Sequence, residues 1–363
     1  MMDWMGLDKP LLEGLALLGC VAVGCATTPV ETLRGGAVAE ATAGLQAPAA
    51  APKTAVKVEA PTEIVLHAVG DCAIGDLHHG AGAPGSFAAE IAAADDPMGY
   101  PFSGVAELFA HDDLTIANLE GTFTDRKAWH NPVFSIRGAP ENAQMLVRGG
   151  VELVDVENNH AFDYGVEGHE DTKAALEKVG VGYFGRDNVD RRTIKGMKIV
   201  NLGYLGGPKG TRAKMVADVA RERGPSTIVI VSFHWGVEGY YATHPDQQRL
   251  GRAAIDAGAS LVLGHHPHVV QGIETYRDRP IVYSMGNFVF GANSRPQDMD
   301  SFIYRVRFGL EGAEVASVKG EVIPVRISSD PNRNDFRPRL LQGAEAKRVV
   351  DKIGDLSAKL PAT

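Results

Sequence analysis

Side chains that bind metal ions or transfer protons follow five short apolar segments of the sequence. Segments 64–70, 114–117, 151–156, 227–233 and 260–264 are followed by Asp71; by Asn118 and Glu120; by Asn159 and His160; by His234; and by His265, His266 and His268. Taken singly, each residue has an ordinary structural role, such as capping a helix, making a turn or forming a hydrogen bond. Repetition after five successive segments favours a shared metal site instead.

The chemistry of these side chains narrows the kind of metal. Imidazole, carboxylate and amide groups without a thiolate suit Mn, Fe or Zn, and they do not choose among the three. We expect two divalent ions, because a carboxylate such as Glu120 can bridge a pair of metals. Paired metals suit the chemistry of phosphoesters.

The apolar segments themselves are predicted to be buried strands. Each is rich in Val, Ile and Leu, and helix-like sequence separates it from the next. This alternation is typical of an α/β domain with buried parallel strands. Because sites in such sheets form where the carboxyl ends of neighbouring strands meet, we expect the five sets of side chains to converge. Helices are predicted over residues 165–180, 244–257 and 345–360.

The first 61 residues are predicted to lie outside the folded domain. Residues 11–24 have the length of a signal-peptide core, are too short to span a bilayer, and lead through small residues into Cys25. We interpret residues 1–25 as a signal peptide with a lipobox, acylated at Cys25, with Cys20 as the less favoured choice. Glu13 interrupts the run, which leaves an ordinary amphipathic terminus or a misassigned start as alternatives. Residues 26–61, rich in Ala, Pro and Thr, are predicted to be a disordered tether.

Composition argues against some partners and some chemistry. The formal net charge of −9 argues against nucleic acid or an anionic surface held by charge alone, so we expect no nucleic-acid partner. Cys72 is the one cysteine beyond the N-terminal segment, so the folded domain has no disulfide framework available. We interpret Cys72 as a buried, apolar side chain rather than a nucleophile.

Six short motifs, in a fixed order, carry a resemblance to a known family. They are GD at 70–71, NLE at 118–120, NNHAFDYG at 158–165, HWGVE at 234–238, GHHPHVVQG at 264–272 and YSMGNFVFG at 283–291. This series resembles the CapA family of bacterial capsule and poly-γ-glutamate synthesis proteins, over residues 63–327. The family is similar in fold to calcineurin-like metallophosphoesterases. The resemblance therefore implies an α/β fold, a four-layer α/β/β/α sandwich.

Domain limits follow from this resemblance and from the change in composition near residue 61. We expect a single CapA-like domain over residues 62–342, then a C-terminal helix and tail over residues 343–363. Residues 301–327 alternate like paired antiparallel strands and are expected to complete the second sheet of the sandwich.

The resemblance also implies roles for the candidate site residues. Carried over position by position, the implied metal ligands are Asp71 on the first metal, Glu120 bridging both, Asn159 and His234 on the second, and His266 and His268 with one on each. His160 would be the catalytic residue, protonating the leaving oxygen or stabilising charge on the phosphoryl group.

One position departs from the phosphoesterase pattern. Its first motif is Asp-x-His, and this chain has Ala73 where the histidine would stand. The first metal then lacks a ligand unless His78 or His79 folds back to supply it. Either that metal binds weakly or the site works with a single metal, which weighs against hydrolysis more than against metal binding.

Six further residues are predicted to orient the ligands or to face the substrate. They are Asn118, Arg137, Asp163, Glu238, His265 and Asn287. Carboxylates commonly orient ligand histidines, which is the role expected for Asp163, with a helix or turn cap as the alternative. Arg137 is a candidate contact for an anionic group, with a surface salt bridge as the alternative.

The function implied is that of a CapA-like envelope protein in capsule or poly-γ-glutamate-type exopolymer biosynthesis, with a metal-dependent phosphoesterase-type site. One alternative is a non-hydrolytic accessory subunit of a polymer synthesis and export complex. Another is a metal-dependent hydrolase of a different ester or amide. The partners expected are polymer synthesis or export proteins and a membrane, reached through the N-terminal lipid anchor at the periplasmic or extracellular face.

Overall fold

The computed structural model describes residues 63–127, 134–207 and 210–361. Its strands are β1 (Glu63–Ala73), β2 (Asp76–Leu77), β3 (Leu114–Leu119), β4 (Thr122–Phe123), β5 (Ile136–Gly138), β6 (Leu153–Asp155), β7 (Gly182–Phe184), β8 (Asp190–Ile194), β9 (Met197–Leu205), β10 (Thr227–His234), β11 (Leu261–His265), β12 (Ile273–Tyr276), β13 (Arg279–Val282), β14 (Asn287–Phe290), β15 (Asp300–Glu311), β16 (Glu314–Arg326) and β17 (Arg339–Leu340). Its α-helices are α1 (Phe87–Ala93), α2 (Ala106–Phe109), α3 (Ala143–Gly149), α4 (Gly165–Val179), α5 (Thr211–Glu222), α6 (Pro245–Ala257) and α7 (Gly343–Ser357). The signal peptide, Cys20, Cys25 and the tether predicted from sequence lie outside the described residues.

The larger sheet has the strand order β17-β16-β15-β1-β3-β6-β7. β1, β3, β6 and β7 run parallel to one another, whereas β15, β16 and β17 add antiparallel pairs. One edge of β1 has two partners in succession, because β15 pairs with residues 63–68 and β14 pairs in parallel with residues 71–73. The carboxyl end of β1 therefore lies between β3 and β14.

The second sheet has the order β12-β13-β11-β10-β9-β8, with β9, β10, β11 and β13 parallel. A small third sheet, β2-β5-β4, lies in the loops that follow β1 and β3.

The strands are buried on both faces, which explains their nearly continuous apolar sequences. In β1, Ile64 and Leu66 belong to the core between the two large sheets, whereas Val69 belongs to the core on the outer side. In β10, Ile230 packs between the sheets and Val231 packs outward, because successive side chains of a strand point to opposite faces.

Helices cover both outer faces of the paired sheets. The outer core of the larger sheet includes residues of α1 to α4, and that of the second sheet includes residues of α5 and α6. The order helix, sheet, sheet, helix is the four-layer α/β/β/α sandwich, so the predicted fold class is confirmed. α7 adds Val349 and Ile353 to the core between the sheets.

The three predicted helices are present as α4, α6 and α7, and the predicted pairing of residues 301–327 is present as β15 and β16. The prediction that this hairpin completes the second sheet was wrong. The hairpin joins the larger sheet beside β1 instead, because Glu63 to Ala68 offer an unpaired strand edge that β15 occupies from Gly309 to Tyr304.

Candidate metal centre

The candidate site lies where the carboxyl ends of strands from both large sheets meet. In the larger sheet, Asp71 is in register with Asn118 on β3 and with Asn287 on β14. In the second sheet, His234 at the end of β10 is in register with His265 at the end of β11. Parallel pairing thus aligns polar side chains that are far apart in sequence, as predicted from strand ends.

Asp71 is fully buried and surrounded by nitrogen donors. Its Oδ1 accepts a hydrogen bond from Nδ2 of Asn118 (2.9 Å), and its Oδ2 accepts one from the backbone N–H of His266 (3.1 Å). Nδ1 of His265 lies 3.3 Å from Oδ1, and Nδ1 of His268 lies 3.2 Å from Oδ2. Burial opposes ionisation, but the contacts with His265 and His268 outweigh it and hold the pKa of Asp71 well below its usual range.

Glu120 is 1% exposed, and neither of its carboxylate oxygens has a hydrogen-bond partner among the described residues. Three imidazole nitrogens surround its Oε1: Nε2 of His268 at 3.6 Å, of His160 at 3.8 Å and of His234 at 3.9 Å. Two ligands each ~2.1 Å from one ion are separated by roughly 3–3.5 Å or slightly more. The observed separations are somewhat longer, so small shifts would let the oxygen and the imidazoles of His234 and His268 share a cation. Burial raises the pKa of Glu120 to about 7.

His234 and Asn159 face each other across the site. Nε2 of His234 lies 2.7 Å from Oδ1 of Asn159, and its Nδ1 lies 3.5 Å from Nδ2 of Asn118. His234 is buried, and burial together with neighbouring histidines lowers its pKa well below the ordinary value. A neutral imidazole is the form that binds a metal ion, so His234 is suited to be a ligand.

His160 is held by Asp163 through its Nδ1. This nitrogen donates to Oδ2 of Asp163 at 2.8 Å, and the same oxygen accepts from the backbone N–H of Ile136 at 2.7 Å. Nε2 is left on the side of Glu120. Burial disfavours the imidazolium, but the hydrogen bond to Asp163 and the charge of Glu120 outweigh it and raise the pKa of His160.

His268 carries positive charge into the site. Its Nδ1 lies 2.9 Å from Oδ1 of Asn287, a residue predicted either to orient a ligand or to face the substrate. Although burial disfavours the imidazolium, the charges of Glu120 and Asp71 raise the pKa of His268 to about 10. The two buried carboxylates therefore favour a positive charge at this position, which a metal ion would also supply.

Among the residues that the structure describes, two groups of three His, Asp or Glu side chains have ligand atoms that lie within 4.8 Å of one another. One consists of Asp71, Glu120 and His234, all buried; the other consists of Glu238, His266 and His268, and is more exposed. Either group could hold a metal ion. The second includes Glu238, which the sequence reasoning placed among the orienting or substrate-facing residues; its position four residues after His234 was the available signal.

Several candidates make their contacts elsewhere. Arg137 donates from Nη1 to the carbonyl of Arg126 (2.7 Å), and its guanidinium lies 5.7 Å from the centre of the Tyr164 ring. His78 and His79 pack edge to face, and neither belongs to the two groups of ligand atoms found within the described parts of the chain.

Cys72 is fully buried and unpaired, and burial raises the pKa of its thiol to about 12. These properties agree with the interpretation of Cys72 as an apolar core residue, because a thiol at this pKa is protonated at neutral pH and is not a nucleophile.

Two features near the site were missed by the sequence reasoning. Asn158 donates from Nδ2 to the carbonyl of Leu119 (2.8 Å) and accepts from the backbone N–H of His160 (3.1 Å), so it ties the β3 and β6 loops together. A cleft of 590 Å³ begins beside the β6 loop and is lined by Phe162 and by Arg186, whose guanidinium lies 4.4 Å from the ring centre. Only the position of these residues in the fold reveals them.

The sequence matches a known family. The family model described as "Bacterial capsule synthesis protein PGA_cap" matches residues 65–292, which include every candidate metal ligand described above.

Individual relatives carry related names. The chain is 32% identical over 251 residues, 62% of its length, to "PGA biosynthesis protein CapA" of Bacillus subtilis, and 28% identical over 268 residues, 64% of its length, to "Capsule biosynthesis protein CapA" of Bacillus anthracis. These matches span 64% and 65% of the two relatives. It is 30% identical over 216 residues, 49% of its length and 55% of the relative, to a Mycobacterium tuberculosis protein named "Probable polyglutamine synthesis accessory protein".

Proposed function

The chain belongs to the PGA_cap family of bacterial capsule synthesis proteins, and from this premise we propose that it acts in making a capsule or poly-γ-glutamate-type exopolymer. The names of the relatives support this role, since each refers to synthesis of a capsule or of a glutamate- or glutamine-based polymer. The chain spans less than two thirds of the two Bacillus relatives, so its activity, substrate and partners are part of the proposal.

The site itself is proposed to be a metal-dependent phosphoesterase-type centre. The observation that carries this proposal is Glu120, a buried carboxylate without a hydrogen-bond partner in the described residues and with three imidazole nitrogens around one oxygen. The set that would hold two divalent ions, Mn, Fe or Zn, consists of Asp71, Glu120, Asn159, His234, His266 and His268. When bound, such ions lower the pKa of water and neutralise phosphoryl oxygens.

His160 is proposed to move a proton in this reaction. Asp163 fixes the Nδ1 side of its ring, so that Nε2 points into the site and can deliver a proton to a departing oxygen. Asp163 is in turn held by the backbone N–H of Ile136, which sets the orientation of the carboxylate. His160 is thus the proposed acid, and Asp163 is the residue that positions it.

A non-hydrolytic accessory subunit is the second candidate function. Ala73 occupies the position of a metal-ligand histidine in the phosphoesterase pattern, and a metal centre short of one ligand favours a binding role over turnover. The name of the mycobacterial relative also contains the words "accessory protein". Hydrolysis of another ester or an amide is a third candidate, because paired metals polarise carbonyl groups as well as phosphoryl groups.

We place the protein in the cell envelope, held to a membrane by a lipid on Cys25. Within the described ranges, none of the helices combines the length and hydrophobicity that crossing a bilayer requires. Mass spectrometry of the membrane fraction tests the anchor: a diacylglyceryl modification at Cys25 is expected. An unmodified chain that begins at Met1 would contradict it.

The enzymatic proposal is tested by metal content together with hydrolysis of an aryl phosphodiester. Wild-type protein is expected to bind about two ions and to turn over, His234→Ala is expected to lose metal and activity, and His160→Ala is expected to lose activity while keeping metal. The activity of Asp163→Asn should lie between the activities of His160→Ala and wild type. Metal binding without turnover on phosphodiesters, phosphomonoesters and esters would favour the accessory role, and absence of metal from the wild type would refute the metal centre.

A further inference from the structure

The loop that follows β10 brings a carboxylate to the exposed side of the metal centre. Glu238 lies four residues after His234, and its carboxylate belongs to a group with His266 and His268 whose ligand atoms lie within 4.8 Å of one another. Glu238 is exposed, whereas the other two members are half-buried. An exposed acid near two histidines is not by itself evidence of a metal ligand, so the position of Glu238 needs a structural reason.

A backbone hydrogen bond supplies that reason. The N–H of Gly239 donates to the carbonyl of Pro267 at 2.8 Å, and Pro267 is the residue between His266 and His268. The residue after Glu238 is thus fastened to the midpoint of the histidine pair. Because the bond joins main chain to main chain, it fixes the separation of the two loops whatever the rotamer of Glu238 is.

The rest of the Glu238 loop is fastened on its far side. Nε2 of Gln271 donates to the carbonyls of Tyr240 (2.8 Å) and Ala242 (3.2 Å), and Oε1 of Gln271 accepts from Gln247 (2.9 Å). Gln271 and Gln247 are both buried. The segment that begins at Gly239 is therefore anchored, and Glu238 lies between this segment and the end of β10.

The histidine loop carries strain that directs its side chains. His266 has a φ of 95° and His268 a φ of 57°, so two non-glycine residues on either side of Pro267 lie in the left-handed region. Such conformations are unfavourable for residues other than glycine and persist only where the surroundings hold them in place. In addition, Nδ1 of His266 is buried without a hydrogen-bond partner among the described residues. The nitrogen of His266 without a partner in the described residues is therefore available to bind a cation.

One part of the wall near His268 is apolar and offers no ligand atom. Ala73 is fully buried and packs in an apolar cluster with Ile136, Phe290 and Ala292. The ring of Phe290 also lies 4.7 Å from that of His268. The carboxylates beside His266 and His268 are then Asp71 and Glu120 from the larger sheet and Glu238 from the second sheet. Of these three, Glu238 is the exposed one, so it is the carboxylate available to an ion on the solvent side.

We propose that Glu238 is a direct ligand of a second, solvent-facing metal ion, which it holds together with His266 and His268 and shares with the buried group through Glu120. The proposal rests on the metal centre proposed above and deepens it. It divides the centre into a buried ion at Asp71, Glu120 and His234 and an outer ion that depends on the carboxylate of Glu238. The outer ion is the one exposed to solvent, so it exchanges faster and binds more weakly.

The test counts ions in the folded, full-length protein. Wild type, Glu238→Gln and the control Glu107→Gln, an exposed acid on α2, are equilibrated with Mn²⁺, and bound metal is measured by elemental analysis and by electron paramagnetic resonance. Wild type and Glu107→Gln are expected to bind two ions with an exchange-coupled spectrum. Glu238→Gln should bind one ion with an uncoupled six-line spectrum, because loss of a direct ligand should weaken the outer site by more than the roughly 10- to 100-fold typical of an outer-shell partner. Glu238→Asp should recover part of the outer binding.

The outcomes separate this inference from the proposed function. If Glu238→Gln binds two ions with unchanged affinity, Glu238 is not a ligand, but the proposed metal centre is not contradicted. The same conclusion follows if wild type and Glu238→Gln each bind one ion. No ion in wild type would overturn both. Because Glu238 is exposed, its replacement is not expected to disturb folding, and equal melting temperatures in chelator check this.

Discussion

Replacing Glu120 by glutamine separates the stability of the fold from the binding of metal. This carboxylate has no hydrogen-bond partner within the described residues. Burial raises its pKa to about 7 although the charge of His268 acts in the opposite direction, so its ionised form is a net cost to the fold. An unsatisfied buried acceptor costs about 1–3 kcal/mol. Glu120→Gln keeps the shape and removes the charge, so the metal-free variant is expected to be as stable as wild type or more stable by up to about that amount.

The corresponding melting temperatures follow from the size of the folded part. Unfolding entropy is about 2.1 cal/mol/K per residue, so a domain of roughly 300 residues shifts by about 1.6 °C per kcal/mol. In chelator, Glu120→Gln is therefore expected to melt between 0 and about 5 °C above wild type. A metal at 100 times its dissociation constant stabilises wild type by about 2.7 kcal/mol, or about 4 °C. Glu120→Gln should lose that metal-induced shift.

Glu274→Gln is the matched control for this experiment. Glu274 is also buried, but its oxygens pair with Nε of Arg252 (2.8 Å) and with the hydroxyl of Tyr283. Its replacement should lower the melting temperature with and without metal and leave the metal-induced shift intact. If Glu120→Gln is destabilised in chelator as strongly as Glu274→Gln, then Glu120 stabilises the fold. If Glu120→Gln keeps the full metal-induced shift in melting temperature, then Glu120 does not bind the metal.

Three further predictions concern packing, charge and reactivity. Gly264→Ala should lower the free energy of unfolding by more than about 2 kcal/mol in urea titrations, because an added Cβ would lie 2.1 Å from the carbonyl oxygen of Tyr283; an unchanged midpoint would contradict this. Asp300→Asn should cost about 1–2 kcal/mol near pH 7. Burial opposes ionisation of Asp300, but Arg348 outweighs it and lowers the pKa, so the contribution is present above the ordinary aspartate value and is lost as pH falls through the lowered pKa. A cost that persists unchanged at low pH would count against that account. Cys72 should resist thiol reagents at pH 8 until denaturant is added, as followed by peptide mass; rapid labelling of the native protein would show that the thiol is accessible.

The part of the site that follows strand ends was predictable from sequence. Apolar runs predict buried strands, and parallel pairing then places Asp71 beside Asn118 and His234 beside His265 without any knowledge of loops. The positions of Asp163 and Asn287, which hold His160 and His268, were predicted only as orienting or substrate-facing roles; the structure specifies which nitrogen each one contacts.

The parts that depend on how loops and edges meet were not predictable. The hairpin of β15 and β16 has an alternating sequence that fits either sheet, and only the free edge of β1 decides between them. The position of Glu238 depends on a main-chain bond from Gly239 to Pro267, and main-chain bonds between loops leave no pattern of residue types in the sequence.

The proposed ligands come from both large sheets, and this division would tie metal binding to the packing of the fold. Asp71 and Glu120 follow strands of the larger sheet, whereas His234, His266 and His268 follow strands of the second sheet. Contacts between the two sets cross the boundary between the sheets, for example from the backbone N–H of His266 to Asp71. An ion bound by both sets would cross-link the layers, so its binding energy would add to the apolar core that separates them. Conversely, loosening of that core would lower metal affinity before it unfolded the protein, because metal–ligand distances tolerate changes of only a few tenths of an ångström.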